Sequence, residues 1–438
     1  MRIEIPYGKT KQALNVPESR LRAVLTPTHE ERELADQQEL VRQALANPIG
    51  SAPLRELAKG KDKVVVITSD HTRPLPSAIT LPLYLEEIRK GNPEADITIL
   101  IATGVHRYPT EAEKRAKYGD DICDHEKLIV HDANQDENLV LMGTLPSGGE
   151  LWLNKLVAEA DLVVSEGFVE PHFFAGFSGG RKSVLPGVCD RTTVLGNHCG
   201  AFIASPYART GVLDRNPLHI DMVAAARMAK LRFIVNVIID EEKKTVAAFA
   251  GDPEAAHAAG VRFLRPYCQV DAVPADIVIT SNGGAPLDQN IYQSVKGLTA
   301  AEASARKGAV LIMCAELADG TGGEGFYRSL RDCTSPADHF AQCVATPQHK
   351  TIPDQWESQI LARILMKHHV IFVSRPEMEP TLREMKLDYA PTLQAAVEKA
   401  RALKGDDATV TIIPNGISVI VKEILYYGLR ERIPAPAR

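Results

Sequence analysis

The chain has 438 residues, 45% hydrophobic and 24% charged, with a formal net charge of −6. That length exceeds one small domain and supplies apolar material for sizeable cores, so two α/β domains are expected. The mildly acidic balance, with no extended basic run, excludes a nucleic-acid surface, and no apolar stretch approaches the roughly 20 residues that span a bilayer. The start, Met1 to Pro6, lacks the basic and apolar segments of a signal peptide. Seven scattered cysteines form no disulfide framework, which points to a reducing cytoplasm.

In chain order, a short strand signal from Arg2 to Ile5 precedes a charged helical stretch from His29 to Ala46. After Gly50, apolar runs alternate with segments of helical period. The strand candidates are Lys63 to Ile67, Ile97 to Ile101, Leu162 to Val164 and Phe233 to Ile238, with helices between them such as Ser77 to Lys90 and Asp221 to Lys230. A second series follows: Ile277 to Ile279, Ala309 to Met313, Val370 to Val373 and Val410 to Ile413. Its helices are Ser294 to Lys307, Pro336 to Cys343, Glu357 to Lys367 and Thr392 to Leu403. Such alternation is the pattern of βαβ units with mostly parallel sheets. The segment from Cys268 to Pro274 is the best boundary. It gives an N-terminal domain over residues 1–270 and a C-terminal domain over 275–414, with 415–438 packing back on the first. Val66 to Asp70 echoes Val278 to Asn282, although a strand followed by a turn is what both segments need.

Ligands in open α/β sheets collect beyond the carboxyl ends of strands. The residues found there are Asp70 to Arg73, Thr103 to Arg107, and the block from Glu170 to Ser183. In the second half they are Ser281 to Gly284, leading to Asp288 to Lys296, and Asp319 to Gly325. The block from Glu170 to Ser183 crowds a histidine, an arginine, a lysine and glycines together, and suits an anion. It is not a nucleotide P-loop, because Arg181 stands where that motif requires its second glycine. His106, His172 and His198 lie in polar loops and are candidate acid/base or metal-binding groups. His29, His125, His219, His257, His339 and His349 have no supporting constellation. No zinc-type spacing is present. Arg73 offers a fork for a carboxylate or phosphate. Lys182 suits an anion or, if desolvated, nucleophilic attack on a carbonyl or thioacyl group. Gln293 and Lys296 share one helix face and either hold an anion together or are solvated. Trp356 either closes a pocket or belongs to the core.

Taken together, these segments resemble the nickel-dependent lactate racemase family: Ser69 to Pro74, Ala102 to His106, His172 to Gly187, Asn197–His198, Pro286 to Gly297 and Thr351 to Trp356. The resemblance implies two α/β domains with mostly parallel sheets and an active site in the cleft between them. The first domain would carry the cofactor and the catalytic histidines, and the second the carboxylate-binding residues. It further implies a nickel pincer nucleotide: a pyridinium-3-thioamide-5-thiocarboxylic acid mononucleotide with Ni(II), covalently attached to Lys182 and supplied by cofactor-assembly enzymes. His198 would be the protein's nickel ligand. His106 and His172 would be the acid/base catalysts, Arg73, Gln293 and Lys296 the substrate-binding residues, and Asp70 and Trp356 supports near the pincer. With such a cofactor in place, the anion-suited positions Ser178, Gly179, Gly180 and Arg181 are read, from the block itself rather than from the family, as facing the mononucleotide phosphate. The expected activity is racemisation of a 2-hydroxy acid, lactate first, by reversible hydride transfer. Malate, aromatic or sugar acids are alternatives within the family. A phosphate-handling transferase and a non-catalytic carboxylate-binding protein are alternatives outside it.

Overall fold

The computed structural model describes residues 1–28, 35–240 and 242–422. Two six-stranded sheets organise them. The first runs Thr245–Gly251, Leu231–Ile239, Leu162–Phe168, Lys63–Ser69, Asp96–Ala102, Lys127–Val130, parallel except for the first pair. The second runs Asp388–Ala390, His369–Val373, Ala305–Cys314, Ala275–Ser281, Val410–Ile413, Leu21–Val24, parallel throughout. The expected fold class holds.

The central strands are apolar on both faces because both faces are covered. In Lys63–Ser69, Val64 and Val66 pack with Leu81, Tyr84 and Ile88 of helix Ser77–Gly91. Val65 and Ile67 turn the other way, into a core that also takes Val278 and Leu311 of the second sheet. The two sheets therefore share one continuous apolar layer. The echo between Val66 to Asp70 and Val278 to Asn282 falls at the ends of two central strands; the first delivers Thr68, Ser69 and Asp70 to a cleft, and the second leads into the helix that brings Tyr292, Gln293 and Lys296 there.

Three expectations need correction. The first 24 residues do not belong with the first sheet. Ile3, Ile5 and Leu14 of the hairpin Arg2–Tyr7/Thr10–Asn15 pack on Ile277 and Ile312, and Leu21–Val24 pairs with Val410–Ile413. Alternating apolar side chains need a face to bury, and the second sheet supplies it. The early helix is Gln37–Ala46, begun by the Asp36 cap, whose carboxylate accepts from Glu39 N at 2.9 Å; residues 29–34 lie outside the described residues. The helix expected from Ser294 to Lys307 spans Ile291–Ala303, and Arg306 and Lys307 start the next strand. Near the chain's end, Ile420–Lys422 pairs with Gln269–Asp271, while residues 423–438 lie outside the described residues. The seven cysteines are free thiols. Among the described residues no helix is long and apolar enough to cross a membrane.

Candidate active site

Three adjacent parallel strands, Leu162–Phe168, Lys63–Ser69 and Asp96–Ala102, end at the same edge of the first sheet. Facing them is the N-terminal turn of helix Ile291–Ala303, which follows strand Ala275–Ser281. Between them lies a cleft of about 260 Å³. Asp70, Arg73, His106, His172, Ser178, Gly179, Lys182, His198, Gln293, Lys296 and Trp356 all line it; Gly180 and Arg181 do not. The loop from Asp319 to Gly325 also stays out of the cleft. It receives the N–H groups of Ile291 and Tyr292 on the carbonyls of Gly320 and Thr321, and so steadies the helix start.

His106 and Asp70 form a pair: His106 Nδ1 lies 2.7 Å from Asp70 Oδ2. Burial alone would raise the Asp70 carboxyl, but the hydrogen bond and charge of His106, the Thr72 hydroxyl and Arg73 together hold it down at about 2. An ionised Asp70 fixes the proton on Nδ1 and leaves Nε2 as the basic nitrogen. The loop carrying Asp70 and Arg73 is itself braced. Lys117 Nζ donates to the Arg73 carbonyl at 2.8 Å, and the Tyr118 hydroxyl donates to the Ser69 carbonyl at 2.9 Å. Neither brace announces itself in the sequence, because both come from a charged surface helix.

The glycine-rich block is pinned to the sheet rather than left open. Gly179 has φ +77°, and a Cβ there would meet Asn236 Oδ1 at 2.7 Å and the Phe168 carbonyl at 2.8 Å. Asn236 Oδ1 accepts from Gly180 N at 2.8 Å, and Ser178 Oγ donates to the Phe168 carbonyl at 2.9 Å. Arg181 is 4% exposed and turns away from the cleft. Its guanidinium donates to the carbonyls of Ala175 (2.9 Å) and Gly179 (3.1 Å) and to His219 Nδ1 (3.0 Å), and lies 3.2 Å from His257 Nε2. Arg181 and the Gly180 N–H are therefore spent inside the protein and do not face a phosphate in the cleft. His219 and His257, which had no constellation in the sequence, belong to this buried knot. Only the fold brings them to Arg181.

Lys182, one residue on, does reach the cleft, with Nζ 3.3 Å from His172 Nε2. Burial, then the charges of Arg181 and Arg73, push the Lys182 amine well below its usual range. Burial and the neighbouring cations Lys182, Lys296 and Arg73 push the His172 imidazole down as well. His172 Nδ1 accepts from Ala175 N at 3.3 Å, and its Nε2 faces the Lys182 amine. Burial that disfavours the ammonium favours a nucleophilic lysine.

His198 closes helix Arg191–Asn197. Its Nδ1 donates to the Val194 carbonyl at 2.8 Å, and its ring lies against Phe174 (5.3 Å) and Trp356 (4.9 Å). Burial, then the Lys182 charge, lowers it to about 4. Nε2 is thus kept unprotonated and has its orientation fixed by a backbone carbonyl, as a metal-ligating imidazole requires. Among the described residues no cluster of three or more metal-ligating side chains exists. A metal held by His198 would take its other ligands from outside these side chains, and Lys182 lines the same cleft. The donor set fits a tethered, ligand-bearing cofactor.

Across the cleft, Lys296 Nζ donates to Gln293 Oε1 at 2.6 Å. Their helix is fixed to the strand end by Asn282. Its amide donates to the carbonyls of Leu287 and Gln293, both at 2.7 Å, and accepts from Gly297 N at 3.1 Å. Trp356 Nε1 donates to the Tyr292 hydroxyl at 3.0 Å and links helix Gln355–Leu365 to the same corner. Two carboxyls that the sequence did not single out as site groups also line the cleft, Glu166 and Glu357. Glu166 Oε1 accepts from the Thr68 hydroxyl at 2.5 Å. Glu357 reads in sequence as a helix start and Glu166 as the close of a strand run, and only burial marks them.

Comparison with known proteins follows the same outline. Residues 7–211 match the family described as the lactate racemase N-terminal domain, and residues 270–421 the lactate racemase C-terminal domain. The lactate racemase of Thermoanaerobacterium thermosaccharolyticum is 52% identical over 422 residues, 96% of this chain and 99% of that one. The lactate racemase of Lactiplantibacillus plantarum is 51% identical over 423 residues, with coverage of 96% and 99%. The lactate racemase apoprotein structure from T. thermosaccharolyticum superposes with a TM-score of 0.94, covering 97% of this chain and 100% of that chain. A Thermotoga maritima protein, 19% identical with a TM-score of 0.63, shares the fold over 89% of this chain and 100% of its own.

Proposed function

The chain belongs to the lactate racemase family, and from that premise we propose that it interconverts D- and L-lactate with a nickel pincer nucleotide tethered to Lys182. When bound, that group supplies an acceptor for the hydrogen on the substrate's C2, which is too weakly acidic to leave as a proton. The protein's own residues do the rest. Arg73 and Lys296 hold the carboxylate, and Gln293 fixes where the Lys296 ammonium points. His106, oriented by Asp70, takes the hydroxyl proton of one enantiomer through Nε2. His172 serves the other enantiomer, whose hydroxyl points the opposite way, so two bases are needed. Phe173, Phe174, Tyr292 and Trp356 wall the cleft and keep water from the reacting centre.

The observation that carries this reading is a buried Lys182 amine beside a His198 whose Nδ1 is fixed on the Val194 carbonyl, in one cleft that also holds two further imidazoles and two cations. A phosphate-handling transferase fits less well, because Arg181 and the Gly180 N–H have their hydrogen bonds elsewhere.

The test uses protein made together with the cofactor-assembly enzymes. Intact mass should show an adduct on the wild type, nickel should co-purify with it, and a chiral assay should show each lactate enantiomer converting to the other. Lys182→Ala should carry no adduct. Racemisation by adduct-free protein would sink the mechanism. If loaded wild type leaves lactate unchanged but interconverts malate or an aromatic hydroxy acid, lactate is the wrong substrate and the family chemistry survives.

A further inference from the structure

Glu357 is fully buried in the first turn of helix Gln355–Leu365, lines the cleft, and has no hydrogen-bond partner among the described residues for either carboxylate oxygen. The helix packed beside it carries Lys296, whose ammonium donates to Gln293 Oε1 and acts on Glu357 through its charge. The other titratable groups around Glu357 are Tyr292 on that helix, Asp354 in the preceding turn, and Arg191, which acts on Asp354. On the far side of its own helix, His339 bonds the Ser358 hydroxyl at 2.9 Å. No donor in this set reaches the Glu357 oxygens.

A buried carboxylate without donors stays ionised only while a nearby cation compensates it. Lys296 is that cation. A ligand carboxylate docking on Lys296 takes over the same positive charge and leaves Glu357 uncompensated, and a neutral carboxylic acid removes the conflict. We propose that Glu357 is a positioning residue for ligand charge: it gains a proton from solvent when a carboxylate binds Lys296 and releases it when the carboxylate leaves. The proposal rests on reading Lys296 as the carboxylate site. Burial pushes the Glu357 carboxyl up, Lys296 opposes the rise and Asp354 adds to it, leaving it at about 8, so the exchange falls where it can be measured.

Two measurements on cofactor-loaded enzyme test this. The heat of L-lactate binding, taken near pH 8 in buffers of different ionisation enthalpy, counts protons taken up per ligand. Wild type should take up a sizeable fraction of one proton, and Glu357→Gln, a permanently neutral isostere, close to none. In parallel, KM for lactate should rise several-fold in wild type between about pH 7 and pH 9 as Glu357 ionises, and stay flat within about twofold in E357Q. A residue that only packs would lower thermal stability on substitution and leave the proton count alone. Equal proton counts in the two proteins, or superimposable KM profiles, overturn the proposal. If E357Q does not fold, absence of proton uptake by wild type overturns it by itself. Failure of the wild type to racemise bound lactate would refute the proposed reaction instead, and the proton count would still decide for or against Glu357.

Discussion

Asp70 has a defined task at the residue scale: it is ionised, buried and bonded to one nitrogen of His106, so it selects the tautomer that leaves Nε2 basic. Asp70→Asn keeps the shape and removes the charge. We expect kcat to fall by about 10–100-fold, with a smaller change in KM, because orientation and proton affinity suffer more than carboxylate binding. Steady-state kinetics of loaded enzyme check this, and an unchanged kcat would show that Asp70 is only a packing residue. Arg181 teaches the opposite lesson. Its sequence position beside Lys182 and among glycines suggests an anion ligand, yet its guanidinium is consumed by the carbonyls of Ala175 and Gly179 and by His219. Neighbours in sequence can face opposite sides of a turn, and a residue string carries no sign of which.

The glycine-rich block is the decisive element, since a short 3-10 turn, Gly180–Ser183, presents Lys182 to the cleft. That turn can form only if Gly179 keeps its left-handed conformation and presses on Asn236 and the Phe168 carbonyl. Gly179→Ala should therefore destabilise the turn by about 1–3 kcal/mol. It should also abolish the Lys182 adduct by intact mass while the rest of the protein keeps its far-UV spectrum; full adduct formation in this variant would contradict the role given to the turn. Other elements were readable to differing degrees. Strands such as Lys63–Ser69 stood out as continuous apolar runs. Thr245–Gly251 did not, because its alanines have little β-propensity and it is a strand only by pairing with Leu231–Ile239.

For the whole molecule, buried imidazoles set the response to acid. Burial, reinforced by a nearby positive charge, lowers His198 to about 4 and His219 and His257 to about 3. Each folded pKa lies below the unfolded value near 6.5, so the unfolded chain takes up protons that the native state refuses. The stability is intact above about pH 6.5 and is lost as pH falls toward the folded values, at up to about 1.4 kcal/mol per pH unit for each group. Thermal unfolding midpoints should thus drop between about pH 6.5 and pH 5, where most carboxylates are still ionised. Glu357, raised to about 8, opposes this trend, so a flat midpoint over that interval in wild type and in Glu357→Gln alike would mean these histidines are not buried as described.

The sequence by itself determined the α/β class, the parallel sheets and the residues at the strand ends, because apolar runs, turn residues and motif spacing are local properties. It also carried the family likeness, through blocks of contiguous residues. Only the tertiary structure decided which way each of those residues faces. It turned Lys182 into the cleft and Arg181 out of it, packed the first hairpin on the second sheet and paired Leu21–Val24 with it, and tied His219 and His257 to an arginine 38 and 76 residues away. It also left Glu357 buried without a donor among the described residues. The physical reason is common to all of these: burial and partnership depend on chain segments far apart in sequence, and the charge state of a side chain follows from both.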